Sequence, residues 1–207
     1  QERWEAKMMK PVKREEMQQV VGRILRAAPV TDVHTHIYPA SFGNLLLWGV
    51  DELITYHYLI AETLRYDNMP YEQYFSMPKR AQADLIWKTL FLDRSPVSEA
   101  QRGVLTVMSK LGQDVRSREL AGIRRYCESK SVNEYMDIVF EKAGVKEVVM
   151  TNDIFNPQEF AVWQSGPTID PRFKAALRID PLLNLDESGI ALLQKSGYAA
   201  DARLSVE

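Results

Sequence analysis

The sequence has little cysteine: Cys127 is the only one in 207 residues. A single cysteine excludes an internal disulfide, and with it the disulfide-rich secreted domains. No local signature of a catalytic cysteine surrounds Cys127, so we interpret it as a structural residue. We therefore expect a protein of a reducing compartment, the cytoplasm.

Long hydrophobic runs and an excess of positive charge are also missing. The longest apolar run covers residues 45–50, whereas a membrane-spanning helix needs about 20 apolar residues. The formal net charge is −2, which gives no electrostatic attraction to nucleic acid or to an anionic membrane. With 45% hydrophobic and 26% charged residues, the composition is that of an ordinary globular protein. We expect neither a nucleic-acid partner nor a membrane partner.

Histidine is scarce as well, yet two of the three histidines are His34 and His36. They lie in the β-branched run of residues 30–39, which predicts a strand ended by Pro39. Side chains two residues apart on a strand share a face, so both imidazoles project together from Cα atoms about 6.5 Å apart. They then reach a common ion at about 2 Å, which favours a divalent metal, zinc. The alternative is a pair of core histidines, because a lone HxH motif is short.

The remaining pattern predicts an α/β chain with a mostly helical middle. Apolar residues at helical spacing indicate a helix over residues 13–28, directly before the first strand. Two further apolar runs predict strands at residues 146–151 and 173–179. Five helices are predicted between the first strand and the second, over residues 51–65, 78–92, 96–111, 116–129 and 132–143. A last helix is predicted at residues 185–196.

The HxH strand resembles the first barrel strand of the amidohydrolase superfamily, and the segment after it resembles the uronate isomerase branch. That branch has a segment of the form Asp-His-Tyr-Lys-x-Arg-x-x-Arg. His57 and Tyr58 match the His-Tyr pair and Arg65 matches the distal arginine. The chain departs from the pattern at Tyr56 and Leu59, which stand where the branch has the acidic residue and the lysine.

Two later segments follow in the same order as in that branch. Residues 150–157, with Asn152 and Asp153, resemble its Thr-Thr-Asp-Asp-Pro strand end. Residues 176–181, with Arg178, resemble its Phe-Arg-Pro-Asp strand end. The resemblance therefore runs in order over residues 30–181.

The resemblance implies a partial (β/α)8 TIM barrel of amidohydrolase type, with a large helical insertion after the first strand. The implied parts are an N-terminal helix and first strand at 1–38, a helical insertion at 39–144, and further β/α units at 145–207. A complete barrel of this kind typically needs about 250 residues. Only three barrel-type strands are recognisable, so we expect an incomplete barrel whose open sheet edges need a partner, such as another copy in a homo-oligomer.

The implied activity is that of a metal-dependent aldose–ketose isomerase acting on a small sugar acid such as glucuronate. The resemblance makes His34 and His36 metal ligands and makes His57, Tyr58 and Arg178 substrate contacts, while the general base stays unassigned. A guanidinium suits the substrate carboxylate, because it binds carboxylate with a bidentate fork.

Alternatives stay open for the residues and for the activity. Arg178 could form a surface ion pair, His57 could lie on a helix face, and Tyr58 could pack with neighbouring aromatic rings. The chain could also be a metal-dependent hydrolase of the same superfamily, a catalytically incomplete fragment, or a non-catalytic interaction domain built from the helical middle.

Overall fold

The computed structural model describes residues 13–184, 187–195 and 197–198. These residues form a three-stranded sheet and a set of helices, most of which lie between the first two strands along the chain. The strands are β1 (Val30–Thr35), β2 (Val145–Met150) and β3 (Phe173–Lys174). The predicted N-terminal part (residues 1–38) and the predicted C-terminal part (residues 145–207) each include residues outside these described ranges.

The sheet is parallel throughout, in the order β1-β2-β3. Parallel neighbouring strands are what the implied part of a (β/α)8 barrel requires, and this coarse feature of the prediction is confirmed. The predicted length of the third strand is wrong, because β3 covers only two residues and a single bridge between Asn152 and Leu177 follows it. The backbone N–H of Ala176 donates to the side-chain oxygen of Asn152 at 3.2 Å. A side chain thus takes the place of a backbone acceptor, and the regular ladder stops.

Helices account for the rest of the regular structure in the described ranges. They are α1 (Met17–Ala27), α2 (Val50–Ile54), α3 (His57–Tyr66), α4 (Tyr71–Ser76), α5 (Lys79–Trp87), α6 (Glu99–Lys110), α7 (Ala121–Glu128), α8 (Val132–Ala143), α9 (Pro157–Gln164), α10 (Asp180–Leu183) and α11 (Glu187–Lys195). Short 3₁₀ turns at Arg14–Glu16, Ala40–Leu45 and Val115–Ser117 and a π-helical turn at Lys88–Leu92 complete the set.

The first predicted helix of the insertion, residues 51–65, is two helices. The helical conformation is interrupted at Thr55 and Tyr56, and the backbone of Tyr56 is extended. The hydroxyl and the backbone N–H of Thr55 both donate to the carbonyl of Asp51, at 2.8 and 3.0 Å, at the end of α2. A hydroxyl bonded in this way to the carbonyl four residues earlier often bends a helix. The sequence reasoning also missed α4 and α10 and gave no bounds for α9. The predicted last helix over residues 185–196 is present as α11, and its residues 185, 186 and 196 lie outside the described residues.

Local capping signals predict helix α8 well. The Ser131 side chain accepts from the backbone of Glu134, and the Glu134 side chain accepts from the backbone of Ser131, so the predicted capping box is present. Gly144 ends the helix in the left-handed conformation, with φ of 65°. Both features depend on residues within one turn of the helix end, which explains why the sequence alone predicts them.

The buried residues form two separate clusters. One lies inside the helical insertion and includes Ile54, Leu59, Tyr74, Ile86 and Leu90. The other packs β2 and β3 against α8 and the turn at Ala40–Leu45, and its members are Phe42, Met136, Phe140, Val148, Met150 and Phe173. The helices between β1 and β2 thus have a core of their own, while the second cluster supports one face of the sheet.

Apolar side chains on α1 and β1 are left uncovered. The α1 residues Met17, Val21, Ile24 and Leu25 are 51%, 46%, 53% and 68% exposed, and Val33 on β1 is 76% exposed. In the described part of the chain, no helix has both the length and the hydropathy of a membrane span.

Candidate functional site

The candidate site lies at the edge of the sheet where the strands end. Because β1, β2 and β3 are parallel, their C-terminal ends meet at one edge. In barrels of parallel strands, active sites lie at this edge. His36 follows β1, Asn152 and Asp153 follow β2, and Arg178 follows the bridge that continues β3.

The imidazole rings of His34 and His36 lie side by side. Their centroids are 5.1 Å apart with an edge-on geometry, and both residues are exposed. Neither ring is buried among the described residues. The two rings of this histidine pair approach each other as the strand alternation predicts.

A β-bulge shapes the end of β1, and the sequence reasoning missed it. Asp32 pairs with Val148 and Thr35 with Met150, so β1 has one extra residue between the two pairings. The backbone N–H of His34 donates to the Asp32 carboxylate at 3.1 Å. Bulges re-aim side chains and are common beside active sites. The direction of the His34 ring thus depends on the bulge as well as on the alternation.

The histidine pair matches part of a zinc site. Imidazole nitrogen is a common zinc ligand, and a catalytic zinc has three protein ligands with one open position. Within the described ranges, no group of three or more His, Cys, Asp or Glu residues could hold a metal ion. The pair therefore fits as two of the ligands, and a divalent metal with zinc as its identity stays a prediction.

His57 and Tyr58 lie at the start of α3, in a cluster with Tyr56. The centroids of neighbouring rings are 4.3 Å apart for Tyr56 and His57 and 4.2 Å apart for His57 and Tyr58. All three residues are exposed. Tyr56 and Tyr58 line a mostly apolar cavity of about 540 Å³ between α3 and α6. Among the described residues, no hydrogen bond, ion pair or ring contact joins this aromatic cluster to the histidine pair, so their substrate role stays a prediction.

Arg178 forms an ion pair with its near neighbour in sequence. Its Nε donates to the carboxylate of Asp180 at 2.9 Å, and both side chains are more than half exposed. The hydrogen bond from Arg178 lowers the pKa of Asp180. The guanidinium thus lies at the same edge of the sheet as the histidine pair, and the carboxylate of Asp180 is bound to it.

A buried carboxylate near the strand ends escaped the sequence reasoning. Glu159 on α9 is only 3% exposed, and it accepts hydrogen bonds from Tyr38, Asn152, Asp153 and Trp163. Burial, followed by the charge of Glu159, raises the pKa of the Tyr38 phenol to about 12. The one local signal was a polar N-cap residue three positions before a glutamate, a pattern typical of a helix start.

Helix α9 begins at a different polar residue of the same loop. The N-cap of α9 is Asn156, whose side chain accepts from the backbone of Gln158 and Glu159. Asp153, another acidic or amide residue that the sequence offers as a cap for this helix, does not cap it. Asp153 instead accepts from the backbone N–H of Phe155 at 3.1 Å, and so it orders the loop between β2 and α9.

Comparison with protein-family models gave no match, and comparison with curated proteins gave none either. Among solved structures, a uronate isomerase from Bacillus halodurans C-125 matches with a TM-score of 0.87 and 45% sequence identity. The match covers 95% of this chain and 47% of that protein, so the chain spans about half the length of the uronate isomerase. The resemblance to uronate isomerases that the motifs indicate is thereby confirmed.

Proposed function

We propose that this chain, which is uronate isomerase-like over 95% of its length, provides part of the active site of an aldose–ketose isomerase acting on uronates. The observation that carries the proposal is the 45% identity to a uronate isomerase of the same fold. The strand-end position of the histidine pair and Arg178 agrees with it. The reaction moves a proton between C2 and C1 of a sugar acid such as glucuronate, through an enediol.

The proposed barrel context accounts for the surfaces left open in this chain. All-parallel sheets are normally covered on both faces, yet the apolar side chains of α1 and Val33 are exposed. We propose that the three strands are part of a (β/α)8 barrel, and that the exposed apolar surface contacts further barrel elements or another copy in a homo-oligomer. The buried, unpaired Cys127 is compatible with the cytoplasm as the proposed location.

His34 and His36 would hold a divalent metal, with zinc as the proposed ion. When bound, the metal would polarise the oxygens of the substrate as a Lewis acid. Two imidazoles leave coordination positions for substrate oxygens and for ligands from beyond the described residues. The Asp32 carboxylate supports this arrangement because it accepts from the backbone of His34 and holds the bulge.

Arg178 is the proposed contact for the substrate carboxylate. Its exposed guanidinium lies one residue after the bridge at Leu177, and a fork of N–H donors matches a carboxylate. Asp180 already occupies Nε, so the substrate would compete with Asp180 or bind the terminal nitrogens. His57 and Tyr58 remain proposed contacts for sugar hydroxyls.

The test is proton exchange at the reacting carbon. The chain is incubated with glucuronate in D₂O with Zn²⁺, Mn²⁺ or no metal, and loss of the C2 proton signal is followed by NMR. We expect metal-dependent exchange that a His34→Ala, His36→Ala double variant abolishes. Exchange that is equal in the double variant would overturn the assignment of the histidine pair.

The same experiment addresses the share of the site that this chain supplies. Exchange that appears only after a complete uronate isomerase barrel is restored, by adding the matching remainder of a homologous enzyme, would assign the missing ligands to that remainder. No exchange in either form, with intact Zn²⁺ binding, would overturn the isomerase proposal and favour hydrolysis, which a panel of sugar-acid amides and esters would reveal.

A further inference from the structure

We propose that Glu159 is a positioning residue, whose buried carboxylate fixes the C-terminal ends of β1, β2 and β3 relative to one another. The inference rests on the proposed function, because the strand ends matter through the groups they carry. It concerns the strand-end network, which we define as Tyr38, Asn152, Glu159 and Trp163. Its members come from three different parts of the chain and meet at one buried group.

Each carboxylate oxygen of Glu159 accepts two hydrogen bonds. Oε1 accepts from Nδ2 of Asn152 at 2.8 Å and from Nε1 of Trp163 at 3.2 Å. Oε2 accepts from the hydroxyl of Tyr38 at 3.2 Å and from the backbone N–H of Asp153 at 2.9 Å. A carboxylate accepts about four hydrogen bonds, so the four donors match its full capacity.

The network extends from the end of β1 to the end of β3. Tyr38, two residues beyond His36, also approaches the carbonyl of Thr151 after β2 at 3.4 Å. On the other side, Asn152 uses its Oδ1 to accept from the backbone N–H of Ala176 at 3.2 Å. Ala176 lies two residues before Arg178. The segments that carry the histidine pair and the arginine are therefore joined through the side chains of Glu159 and Asn152.

The donors around Glu159 are neutral. Within the described ranges, no lysine, arginine or histidine nitrogen forms an ion pair with it, although it is 3% exposed. A buried carboxylate without a cation is costly unless its oxygens are fully hydrogen-bonded. Here all four donors come from loops or helices that surround Glu159. The positions of these segments relative to one another are therefore restricted by the hydrogen bonds to one carboxylate.

Glutamine has nearly the same shape but cannot serve this network. If its NH₂ group faces Asp153, it meets a backbone N–H that only donates. If the NH₂ group faces Trp163, it meets an indole N–H that also only donates. Either orientation therefore loses at least one hydrogen bond and brings two donors together. We expect the NH₂ group to face Tyr38 and Asp153, because the Tyr38 hydroxyl can also accept a hydrogen bond, and so to loosen the link to the end of β1.

Glu147 offers a matched control on the same three strands. Its carboxylate on β2 accepts from the Thr31 hydroxyl of β1 at 3.1 Å and pairs with Lys174 of β3 at 3.8 Å. Thr31 and Lys174 lie on the strands themselves, before the strand-end loops. Glu147→Gln thus removes a carboxylate that bridges the same strands without touching the network.

The readout uses the three histidines of the chain. Protein labelled with ¹⁵N and ¹³C in histidine gives three sets of side-chain NMR signals, and a His57→Gln variant assigns one of them. Co²⁺ is then titrated as a spectroscopic substitute for zinc. In Glu159→Gln we expect displaced signals for His34 and His36, an unchanged signal for His57, and Co²⁺ affinity lowered about tenfold or more, as is usual when groups that orient metal ligands are removed.

In Glu147→Gln we expect Co²⁺ affinity within about twofold of wild type and unchanged signals for the histidine pair. A folded Glu159→Gln protein with unchanged His34 and His36 signals and unchanged Co²⁺ affinity would overturn the proposal. If wild type itself does not bind Co²⁺, the metal part of the proposed function fails. The metal-free histidine signals then decide the positioning role by themselves.

Tyr38→Phe distinguishes an effect of lost positioning from an effect of the lost charge of Glu159. It also provides a test if the Glu159→Gln protein does not fold. It removes one donor, changes no charge, and keeps the ring stacked on Phe42 with centroids 4.9 Å apart. We expect the signals of the histidine pair to move in the same direction by a smaller amount. Unchanged signals in a folded Tyr38→Phe protein would contradict a link from the network to the end of β1.

Discussion

The buried guanidinium of Arg124 joins the helices α2, α5 and α7, and its removal should cost more stability than removal of its exposed partner Asp84. Its Nε and Nη2 donate to the same oxygen of Asp51 at 2.9 and 2.8 Å. Nη2 also pairs with Asp84 at 2.8 Å. The side chain of Arg124 is 9% exposed, against 26% for Asp51 and 55% for Asp84. Burial lowers the pKa of Arg124, but the bonds to the two carboxylates outweigh it and raise the value.

The magnitudes follow from these exposures. Arg124→Met keeps most of the buried stem but leaves Asp51 without its donors, so we expect a loss of about 2–3 kcal/mol, below the full cost for a completely buried pair because water reaches Asp51. Asp84→Asn removes an exposed partner and should cost about 0–1 kcal/mol. For a protein of this size, the first change lowers Tm by about 4–12 °C.

Urea unfolding followed by far-UV circular dichroism and tryptophan fluorescence measures both variants. The decisive quantity is the difference in the free energy of unfolding between the two variants, because both remove a charge from the same network. If Arg124→Met is within about 0.5 kcal/mol of wild type, the typical range of a surface change, the guanidinium does not hold the helices together. An equal loss in Asp84→Asn would show that exposure does not set the cost.

Further outcomes follow from the site and from the helix ends. His34→Ala or His36→Ala alone should remove most of the Zn²⁺ affinity measured with a competing chromophoric chelator, without loss of helical signal; retained affinity would contradict shared ligation. Arg178→Lys should raise the KM for a uronate about tenfold in a protein with restored activity, because the charge stays but the fork is lost, whereas a neutral sugar should bind equally to both. Ser131→Ala should lower the free energy of unfolding by about 1 kcal/mol. Hydrogen bonds from Ser131 lower the pKa of Glu134, so this carboxylate stabilises the fold above its ordinary pKa and loses that effect as the pH falls through its lowered value. Tm measured against pH should therefore show a Ser131→Ala deficit that shrinks on acidification, and a deficit that grows would refute the assignment.

Local sequence signals predicted the features that depend on neighbouring residues. The histidine pair depends on strand alternation over three residues, and the start of α8 depends on Ser131 and Glu134 within one turn. The parallel strands were recognisable as short apolar runs separated by helices. The motifs of the uronate isomerase branch added the likeness that the solved structure confirmed.

Other features depend on partners distant in the sequence. The bulge in β1 exists only in relation to β2, and β3 stops where Asn152 takes the Ala176 N–H. Glu159 looks like an ordinary residue of a helix start, and becomes a buried acceptor only because Tyr38, Asn152 and Trp163 converge on it.

The sequence by itself therefore determined the helices with strong caps, the apolar strands and the spacing of two histidines on one strand, because each is settled within a few residues, whereas the bulge that helps to aim the His34 ring needs β2. The tertiary structure decided which strand ends meet, how far the third strand runs, and which carboxylate joins them. The physical reason is that hydrogen bonds and burial between distant segments are set by packing, and a one-dimensional pattern does not contain their geometry.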